Sequence, residues 1–203
     1  EGDGAMPPNF TKHIISNVEF LTTFVRAADL DNDLDTDVFC VSPDEAAITW
    51  FENDGNENFT RRTVAVNVLG PSAVDAADID GDGDVDLLSA SYVDSTIRWY
   101  DNDGGSPPAF GKRTVDTTIG GPSSVFALDI DGDAKIDIVS AAESDSVIYW
   151  HQSNGLNPPA FTTYTVGDAS APRSVHAGDI DGDGDIDVLA ASTFDNSLRW
   201  FEN

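Results

Sequence analysis

The chain contains little sulfur and little positive charge. Only one of its 203 residues is cysteine, Cys40, so no disulfide can form within the chain. Ten Lys and Arg residues stand against 37 Asp and Glu residues, which gives a formal net charge of −27. An acidic surface of this size argues against nucleic acid and anionic membranes as partners, because both carry negative charge themselves. No apolar run approaches the ~18 residues of a membrane-spanning helix, so membrane insertion is not expected.

The first residues show neither the basic region nor the apolar region of a signal peptide, and residue 1 is Glu rather than Met. We therefore expect a mature form, a processed product or an excerpt of a longer chain. Hydrophobic residues make up 40% of the sequence, which is enough for a packed core. A chain without disulfides can still be extracellular, where Ca²⁺ is plentiful and can stabilise the fold.

An internal repeat of about 50 residues runs through the chain. Its markers are four tryptophans at spacings of 49, 51 and 50 residues and four phenylalanines at a second phase. The tryptophans are Trp50, Trp99, Trp150 and Trp200, and the phenylalanines are Phe10, Phe59, Phe110 and Phe161. The repeats are approximately 10–58, 59–109, 110–160 and 161–203, with residues 1–9 completing the cycle. We expect residues 1–203 to form a single domain.

One repeat has four strand-like segments separated by turn residues. An outer strand (60–64) is followed by a Gly-Pro-Ser turn (70–72), a strand of small apolar residues (73–79), an Asp-rich loop, an apolar strand (85–91) and the Trp strand. No segment has a sustained 3.6-residue apolar period, so helix should be scarce. Four short strands per repeat predict an all-β fold, a β-propeller of four blades.

The two ends of the sequence fall at the same phase of the repeat. Residues 1–10 match 101–110, so the sequence contains four full periods cut at one point of the cycle. An outer strand near Thr11–Ile15 could then pair with the last Trp strand and close a ring. Three arrangements are compatible with these matching ends. The four blades could close into a ring, two chains could build a larger ring, or the chain could belong to a longer repeat array.

The Asp-rich loops carry the chemistry. They occupy residues 29–37, 78–86, 129–137 and 179–187, and each has Asp at its first, third, fifth and ninth positions. Carboxylate and carbonyl oxygens at such spacing favour Ca²⁺, and the seventh residue is expected to offer its backbone carbonyl. The predicted ligands are Asp29, Asp31, Asp33, Asp35, Asp37, Asp78, Asp80, Asp82, Asp84, Asp86, Asp129, Asp131, Asp133, Lys135, Asp137, Asp179, Asp181, Asp183, Asp185 and Asp187.

The four loops differ in quality. The second and fourth have Gly at the sixth position, where the chain turns sharply, and should bind Ca²⁺ best. The third has Ala134 there and Lys135 next to it, so its affinity should be lower. The first has Leu34 at the sixth position and should be weakest, because a positive φ is costly for Leu.

Other readings of the loops fit less well. An EF-hand has Glu at position twelve and flanking helices, whereas position twelve of the second loop is Ser89 and its flanks resemble strands. Dockerin loops share the spacing but lead into a helix. Paired carboxylates could serve glycoside hydrolysis, but the regular phase of the aspartates favours metal binding.

The segment DIDGDGDVDLLSAS followed by IRWYDNDG (78–91 and 97–104) resembles the FG-GAP/VCBS-type repeat of integrin α-chain propellers, fungal and bacterial lectins and large secreted microbial proteins. The resemblance covers nearly the whole chain. It implies a β-propeller with Ca²⁺ in the loop between the first two strands of each blade. Leu34 and Ala134 depart from the glycine of the pattern.

The remaining reactive residues do not form a recognisable catalytic pattern. His13, His151 and His176 fall at unrelated phases of the repeat, and no Ser-His-Asp spacing is apparent. The tryptophans alternate with apolar residues, which favours packing between blades over a sugar-stacking platform. Arg26, Asp75, Phe126 and His176, which precede the loops, are candidates to line a central channel. We therefore expect a protein without enzymatic activity.

Three function hypotheses follow. The first is an extracellular or cell-surface module that binds protein or glycan and holds up to four structural Ca²⁺ ions. The second is a spacer or assembly element of a larger surface or filament protein. The third is an accessory domain of a secreted polysaccharide-degrading enzyme. A homodimer and a place in a longer array are both compatible with the sequence.

Overall fold

The computed structural model describes residues 10–17 and 21–203, and the regular structure in these ranges is entirely β. Fifteen strands form four antiparallel sheets in chain order. The first sheet contains β1 (Phe24–Ala28), β2 (Asp37–Ser42), β3 (Ala47–Asn53) and β4 (Phe59–Val66). The second contains β5 (Pro71–Ala77), β6 (Asp86–Ser91), β7 (Thr96–Asn102) and β8 (Phe110–Asp116). The third contains β9 (Pro122–Leu128), β10 (Asp137–Ala142), β11 (Val147–Ser153) and β12 (Phe161–Asp168). The fourth contains β13 (Pro172–Gly178), β14 (Asp187–Ser192) and β15 (Ser197–Phe201).

Each sheet is a simple antiparallel meander in which consecutive strands are neighbours. This topology confirms the predicted all-β fold, the segments of the repeat and the scarcity of helix. The Asp-rich loop always joins the first strand of a sheet to the second, which places all four loops at equivalent points. In the part of the chain that the structure describes, no helix has the length and apolar character to cross a membrane.

The core lies between successive sheets. Apolar side chains of one sheet pack against the first and second strands of the next, and three such clusters run along the chain. Ile48, Ile97 and Ile148, which occupy the same phase, are fully buried in these clusters. Burial of one such side chain contributes roughly 1.5–3 kcal/mol. The same alternation buries Trp50 and Trp99, which confirms that these two rings serve packing.

The fourth sheet departs from the pattern. Within the described residues it has three strands, and β15 pairs only with β14. Leu198, at the phase of the buried isoleucines, is 88% exposed, and Trp200 is 46% exposed.

The expected pairing of Thr11–Ile15 with the last Trp strand is wrong for this structure. Residues 10–17 form no strand. They lie beside the first sheet instead, where His13 Nδ1 is 3.4 Å from a carboxylate oxygen of Glu57. Ile14 and Ile15 line a shallow cavity there together with Phe59. These contacts place the segment beside the first sheet, away from β15.

Candidate metal centres

The first aspartate of each loop organises the loop backbone. In the second loop, Asp78 Oδ1 accepts hydrogen bonds from the N–H groups of Gly81 (2.9 Å) and Asp82 (3.1 Å), and Oδ2 accepts one from Gly83 (3.0 Å). Equivalent bonds form in the other three loops around Asp29, Asp129 and Asp179. The chain therefore winds around this carboxylate, as aspartate side chains commonly do in turns.

The ninth aspartate ties the loop to the strands. Asp86 is 1% exposed; its Oδ2 accepts the N–H of Ile79 (3.0 Å) and its Oδ1 accepts the N–H of Asn102 at the end of β7 (2.8 Å). The same two bonds recur at Asp37, Asp137 and Asp187. Burial raises the pKa of Asp86 to about 7. A cation beside this carboxylate would offset the cost of keeping it charged inside the protein.

Carboxylate oxygens converge in all four loops. Within each group the oxygens lie within 4.8 Å of one another. In the second, third and fourth loops the group consists of the first, third and ninth positions: Asp78, Asp80 and Asp86; Asp129, Asp131 and Asp137; Asp179, Asp181 and Asp187. In the first loop it consists of Asp29, Asp31 and Asp33. The first loop therefore differs in shape from the others.

The fifth and seventh positions have other contacts. Each fifth-position carboxylate accepts the N–H two residues later, as Asp82 does from Asp84 at 3.0 Å; Asp33, Asp133 and Asp183 do the same. The Asp84 side chain accepts a hydrogen bond of 2.6 Å from Asn32 of the first loop. The side chain of Asp84 thus contacts a neighbouring loop, and the backbone carbonyl of the seventh residue stays a predicted ligand in all four loops. Asp35, Asp84, Lys135 and Asp185 occupy this position.

Like charges crowd the loops. Burial and then the carboxylates of Asp33 and Asp37 raise the pKa of Asp31 to about 6. Burial and the charge of Asp82 raise the pKa of Asp80 in the second loop. A divalent cation at the centre of each group would relieve this repulsion, and the donors are hard oxygens of the kind that Ca²⁺ prefers. The residues present therefore fit a calcium ion.

The sixth position of every loop has a positive φ, as the sequence predicted. The angle is +99° at Gly83, +103° at Gly184, +66° at Ala134 and +76° at Leu34. Leu34 is 92% exposed, so its side chain gains no packing energy in return. A left-handed backbone costs a residue with a Cβ atom roughly 1–2 kcal/mol, and the first loop is strained for this reason.

The third loop contains groups that compete with an ion. Lys135 Nζ donates to Asp133 Oδ2 at 2.7 Å, and Gln152 Nε2 donates to Asp131 Oδ2 at 2.6 Å. The hydrogen bond from Lys135 lowers the pKa of Asp133. An incoming cation must displace or tolerate the ammonium group, which supports a lower affinity for this loop.

A buried polar network joins the second and third sheets. His151 is fully buried; its Nε2 lies 2.9 Å from Ser140 Oγ and its Nδ1 lies 3.0 Å from Thr163 Oγ1. Thr163 Oγ1 donates to Asp116 Oδ2 at 2.7 Å. The network resembles a Ser-His-Asp triad with Thr163 inserted between the histidine and the aspartate, but Ser140 and His151 are both 0% exposed. The network has no access for a substrate.

The sequence did contain a signal for this network. His151 stands at the phase occupied by Phe51, Tyr100 and Phe201, so an aromatic residue that faces the preceding sheet is replaced by a polar one. His13 and His176 have no such place in the Trp strand, so His151 is distinct from them. Burial lowers the pKa of His151 to about 4, so the ring is neutral at physiological pH.

The residues that precede the loops pair across neighbouring sheets. Arg26 Nε lies 3.5 Å from Asp75 Oδ1, and the N–H of Ala127 donates to Asp75 Oδ2 at 3.0 Å. The rings of Phe126 and His176 are 4.2 Å apart. These four side chains, which were predicted to line a central channel, thus form contacts between neighbouring sheets.

The FG-GAP-like repeat family matches the chain three times, at residues 29–89, 78–140 and 129–190. Each match begins at one Asp-rich loop and ends in the strand after the next loop. The matches span most of the chain, and the protein belongs to the FG-GAP-like repeat family. This confirms the resemblance inferred from the loop and Trp-strand motifs.

Several solved structures share the fold at low sequence identity. An Agrocybe aegerita lectin that recognises non-reducing terminal N-acetylglucosamine is 19% identical, with a TM-score of 0.59 over 85% of this chain and 48% of the lectin. The Photorhabdus luminescens Tc holotoxin pore is 17% identical, with a TM-score of 0.53 over 87% of this chain and 9% of that one. The V. cholerae biofilm matrix protein Bap1 is 18% identical, with a TM-score of 0.50 over 94% of this chain and 32% of that one. The chain spans less than half of the length of each, and no curated protein matches it in sequence.

Proposed function

We propose that the chain is a calcium-stabilised β-propeller, or the blades of a larger one, that acts outside the cell as a binding or adhesion module for glycan or protein. The observation that carries the proposal is that three carboxylates converge in the loop between the first and second strands of all four sheets. A site that recurs in every repeat serves the repeat itself, so Ca²⁺ belongs to the fold and has no catalytic role.

The hydrogen bonds explain how an ion would stabilise a sheet. The first aspartate shapes the loop between the first and second strands, and the ninth aspartate reaches the end of the third strand. An ion held by both aspartates would join three strands of one sheet. Metal binding of this kind contributes directly to the free energy of folding.

The binding role is supported by the kind of proteins that share the fold. They include a lectin that recognises terminal N-acetylglucosamine and a biofilm matrix protein. On this chain, a groove of about 350 Å³ between the first and second sheets offers a candidate surface. Arg62 and Phe110 line it together with Pro107 and Pro108, and the buried Trp50 forms its base. Aromatic rings and a guanidinium group suit the apolar and hydroxyl faces of a sugar.

The test is a glycan array probed with the full chain in Ca²⁺ and in EDTA. We expect binding to a defined set of glycans in Ca²⁺ that is lost after chelation and in an Asp78→Asn/Asp80→Asn variant. Asp44→Asn, which alters an exposed turn aspartate outside the loops, is the matched control and should bind as wild type. Binding that persists in EDTA would contradict the structural role of Ca²⁺, and the lack of any bound glycan would leave protein as the ligand class.

An assembly role is the second candidate, and the fourth sheet favours it. Leu198 and Trp200 are exposed at phases that are buried in the first two sheets. A protein that presents the packing face of a repeat can add further repeats or further molecules. Electron microscopy of the chain in Ca²⁺ distinguishes this role, which predicts regular multimers, from that of a monomeric binding module.

A further inference from the structure

A buried asparagine at the end of β7 connects the first and second Asp-rich loops. Asn102 is 1% exposed, and its Nδ2 donates to the carbonyl oxygen of Leu30 in the first loop (2.8 Å) and to that of Val85 in the second loop (2.9 Å). Its Oδ1 accepts the N–H of Gly104 at 3.0 Å. Both ends of the amide group are therefore engaged, as a buried polar side chain requires.

The backbone on either side of this amide reaches a predicted metal ligand. The N–H of Asn102 donates to Asp86 Oδ1 at 2.8 Å, and the N–H of Leu30 donates to Asp37 Oδ2 at 3.0 Å. Asp37 and Asp86 are the ninth residues of the first and second loops, and both are buried. A path of hydrogen bonds thus runs from Asp37 through Leu30 and Asn102 to Asp86.

A second contact joins the same two loops at the surface. Asn32, the fourth residue of the first loop, donates from Nδ2 to Asp84 Oδ1 of the second loop at 2.6 Å. The fourth residue of the other three loops is glycine: Gly81, Gly132 and Gly182. The first loop is therefore the one that presents an amide side chain to its neighbour.

The second and third loops are not joined in this way. Ser153 takes the place of Asn102 in the third sheet; its N–H donates to Asp137 at 2.8 Å, and its Oγ accepts the N–H of Gly155 at 3.2 Å. Among the described residues, the Ser153 side chain makes no hydrogen bond to the second loop. A cavity of about 440 Å³, lined by residues 78–81 and 134–136, lies between those two loops instead. Direct connection is thus particular to the first pair of loops.

We propose that Asn102 and Asn32 couple the first two metal sites, so that filling one loop raises the affinity of the other. The inference rests on the proposed calcium-binding role of the loops. An ordered first loop fixes the Leu30 carbonyl that Asn102 binds, and Asn102 in turn fixes Val85 and Asp86 of the second loop. The second loop then loses less conformational freedom when it is filled, which is a source of positive coupling.

The coupling would benefit the strained first loop. Leu34 has a φ of +76° at the sixth position, whereas the second loop has Gly83 there. Coupling between two binding sites is reciprocal, so the second loop raises the affinity of the first by the same factor. The third loop, with Ala134 and Lys135, receives no such help. We therefore expect the first loop to bind Ca²⁺ more tightly in the intact chain than its strained backbone alone would allow.

NMR titration of the isotope-labelled full chain with Ca²⁺ follows the loops separately. The N–H groups of Gly81, Gly132 and Gly182 each donate to the first aspartate of their own loop, at 2.9, 2.9 and 2.6 Å. Their chemical shifts therefore report the filling of the second, third and fourth loops in one experiment. The midpoint of each shift measures the affinity of that loop.

Two matched variants remove one loop at a time. Asp31→Asn/Asp33→Asn removes two converging carboxylates of the first loop and keeps Asp29, which shapes its backbone. Asp131→Asn/Asp133→Asn makes the same change of charge in the third loop. Both variants leave every residue of the second loop in place, so any change in its affinity comes from a neighbouring loop.

Removal of the first loop should weaken the second, whereas removal of the third should not. With the first-loop variant we expect the midpoint at Gly81 to move to a Ca²⁺ concentration at least about fivefold higher, the lower end of typical couplings. The midpoint at Gly182 should stay unchanged and shows that the rest of the fold is intact. With the third-loop variant the midpoint at Gly81 should also stay unchanged.

A chain with both contacts removed should lose the coupling. Asn32→Gly/Asn102→Ser introduces the residues that the third repeat has at these positions, Gly132 and Ser153, so the fold accommodates them. In this background, removal of the first loop should leave the midpoint at Gly81 unchanged, and the comparison of the two backgrounds isolates the coupling.

Two results would overturn the coupling while the loops still bind Ca²⁺. One is a midpoint at Gly81 that is the same in the wild type and in the first-loop variant. The other is an effect of the first loop that persists in Asn32→Gly/Asn102→Ser. The absence of any Ca²⁺-dependent shift at the three glycines would overturn both the coupling and the proposed calcium-binding role.

Discussion

The indole Nε1 of Trp150 donates a hydrogen bond of 3.0 Å to Oδ2 of Asp137, the ninth residue of the third Asp-rich loop. The two strongest markers of the repeat, the Trp and the Asp loop, are thus in direct contact. The bond adds to the two backbone N–H groups that Asp137 already accepts. The Trp strand therefore does more than pack between sheets, because it also holds one metal-loop carboxylate in place.

Replacing Trp150 with Phe should remove this hydrogen bond and keep most of the apolar packing. Hydrogen bonds to charged groups contribute about 1.5–3 kcal/mol, so we expect a loss of that order in the free energy of unfolding. Urea denaturation in Ca²⁺ measures it. Tyr164→Ala, which removes the ring stacked on Trp150 and leaves the hydrogen bond intact, is the comparison. A Trp150→Phe variant as stable as wild type would show that the bond contributes nothing.

Glycine at the sixth loop position should stabilise the first and third loops. Leu34→Gly and Ala134→Gly each remove the Cβ atom that strains a residue with a positive φ. The greater entropy of the unfolded glycine chain offsets part of this benefit, and we expect the free energy of unfolding to rise by about 1 kcal/mol per site. Gly83→Ala should lower the free energy of unfolding by a similar amount. A Cβ atom at residue 83 meets no neighbouring atom, so the cost comes from the positive φ alone. Denaturation midpoints in Ca²⁺ measure all three. A destabilised Leu34→Gly variant would contradict the strain assigned to the first loop.

Removal of the lysine should raise the calcium affinity of the third loop. Lys135→Ala frees Asp133 Oδ2 and removes a positive charge next to the site, and we expect a roughly tenfold gain, about 1.4 kcal/mol. Lys112→Ala, at an exposed lysine on β8, is the control and should leave the affinity unchanged. Calorimetric titration with Ca²⁺ measures the affinity of the wild type and of both variants. Equal affinities in the wild type and Lys135→Ala would mean that the lysine moves aside without cost.

Stability should fall in acid because of His151. Its pKa is about 4 in the folded protein and about 6.5 in the unfolded chain. Between these values the unfolded state binds more protons, so the free energy of unfolding decreases as the pH falls from about 6.5 to 4. The size of the effect is at most about 3 kcal/mol.

A His151→Phe variant isolates this effect, because Phe is the residue at the same phase of the first and fourth repeats. Relative to the variant, the wild type should lose stability as the pH falls from about 6.5 to 4. Above pH 6.5 the difference in the free energy of unfolding should stay constant. The carboxylates of the loops titrate alike in both proteins and cancel in the difference. A difference that is flat from pH 7 to pH 4 would show that His151 does not contribute.

The repeat made the fold predictable. The spacing of Trp50, Trp99, Trp150 and Trp200 located every Trp strand, and the Asp spacing located every loop between the first two strands. The positive φ at Leu34 and Ala134 was predictable too, because the loop must turn at the residue that is Gly elsewhere. These features repeat along the chain, so each copy supports the reading of the others.

The contacts between sheets were not predictable in the same way. The pairs Arg26–Asp75 and Phe126–His176 join residues at one phase of successive repeats, and each pair uses different chemistry. Residues 10–17 resemble an outer strand in sequence, yet they lie beside Glu57 and Phe59 of the first sheet. Periodicity describes one sheet, whereas these contacts depend on how neighbouring sheets meet.

The central claim is that Ca²⁺ held by the Asp-rich loops is part of the fold, and thermal unfolding of the full chain in Ca²⁺ and in EDTA tests it most directly. An ion at 100 times its dissociation constant adds about 2.7 kcal/mol per site. We therefore predict a melting temperature that is many degrees higher in Ca²⁺ than in EDTA, with Mg²⁺ restoring little of the difference. The same melting temperature in Ca²⁺ and in EDTA would contradict the claim.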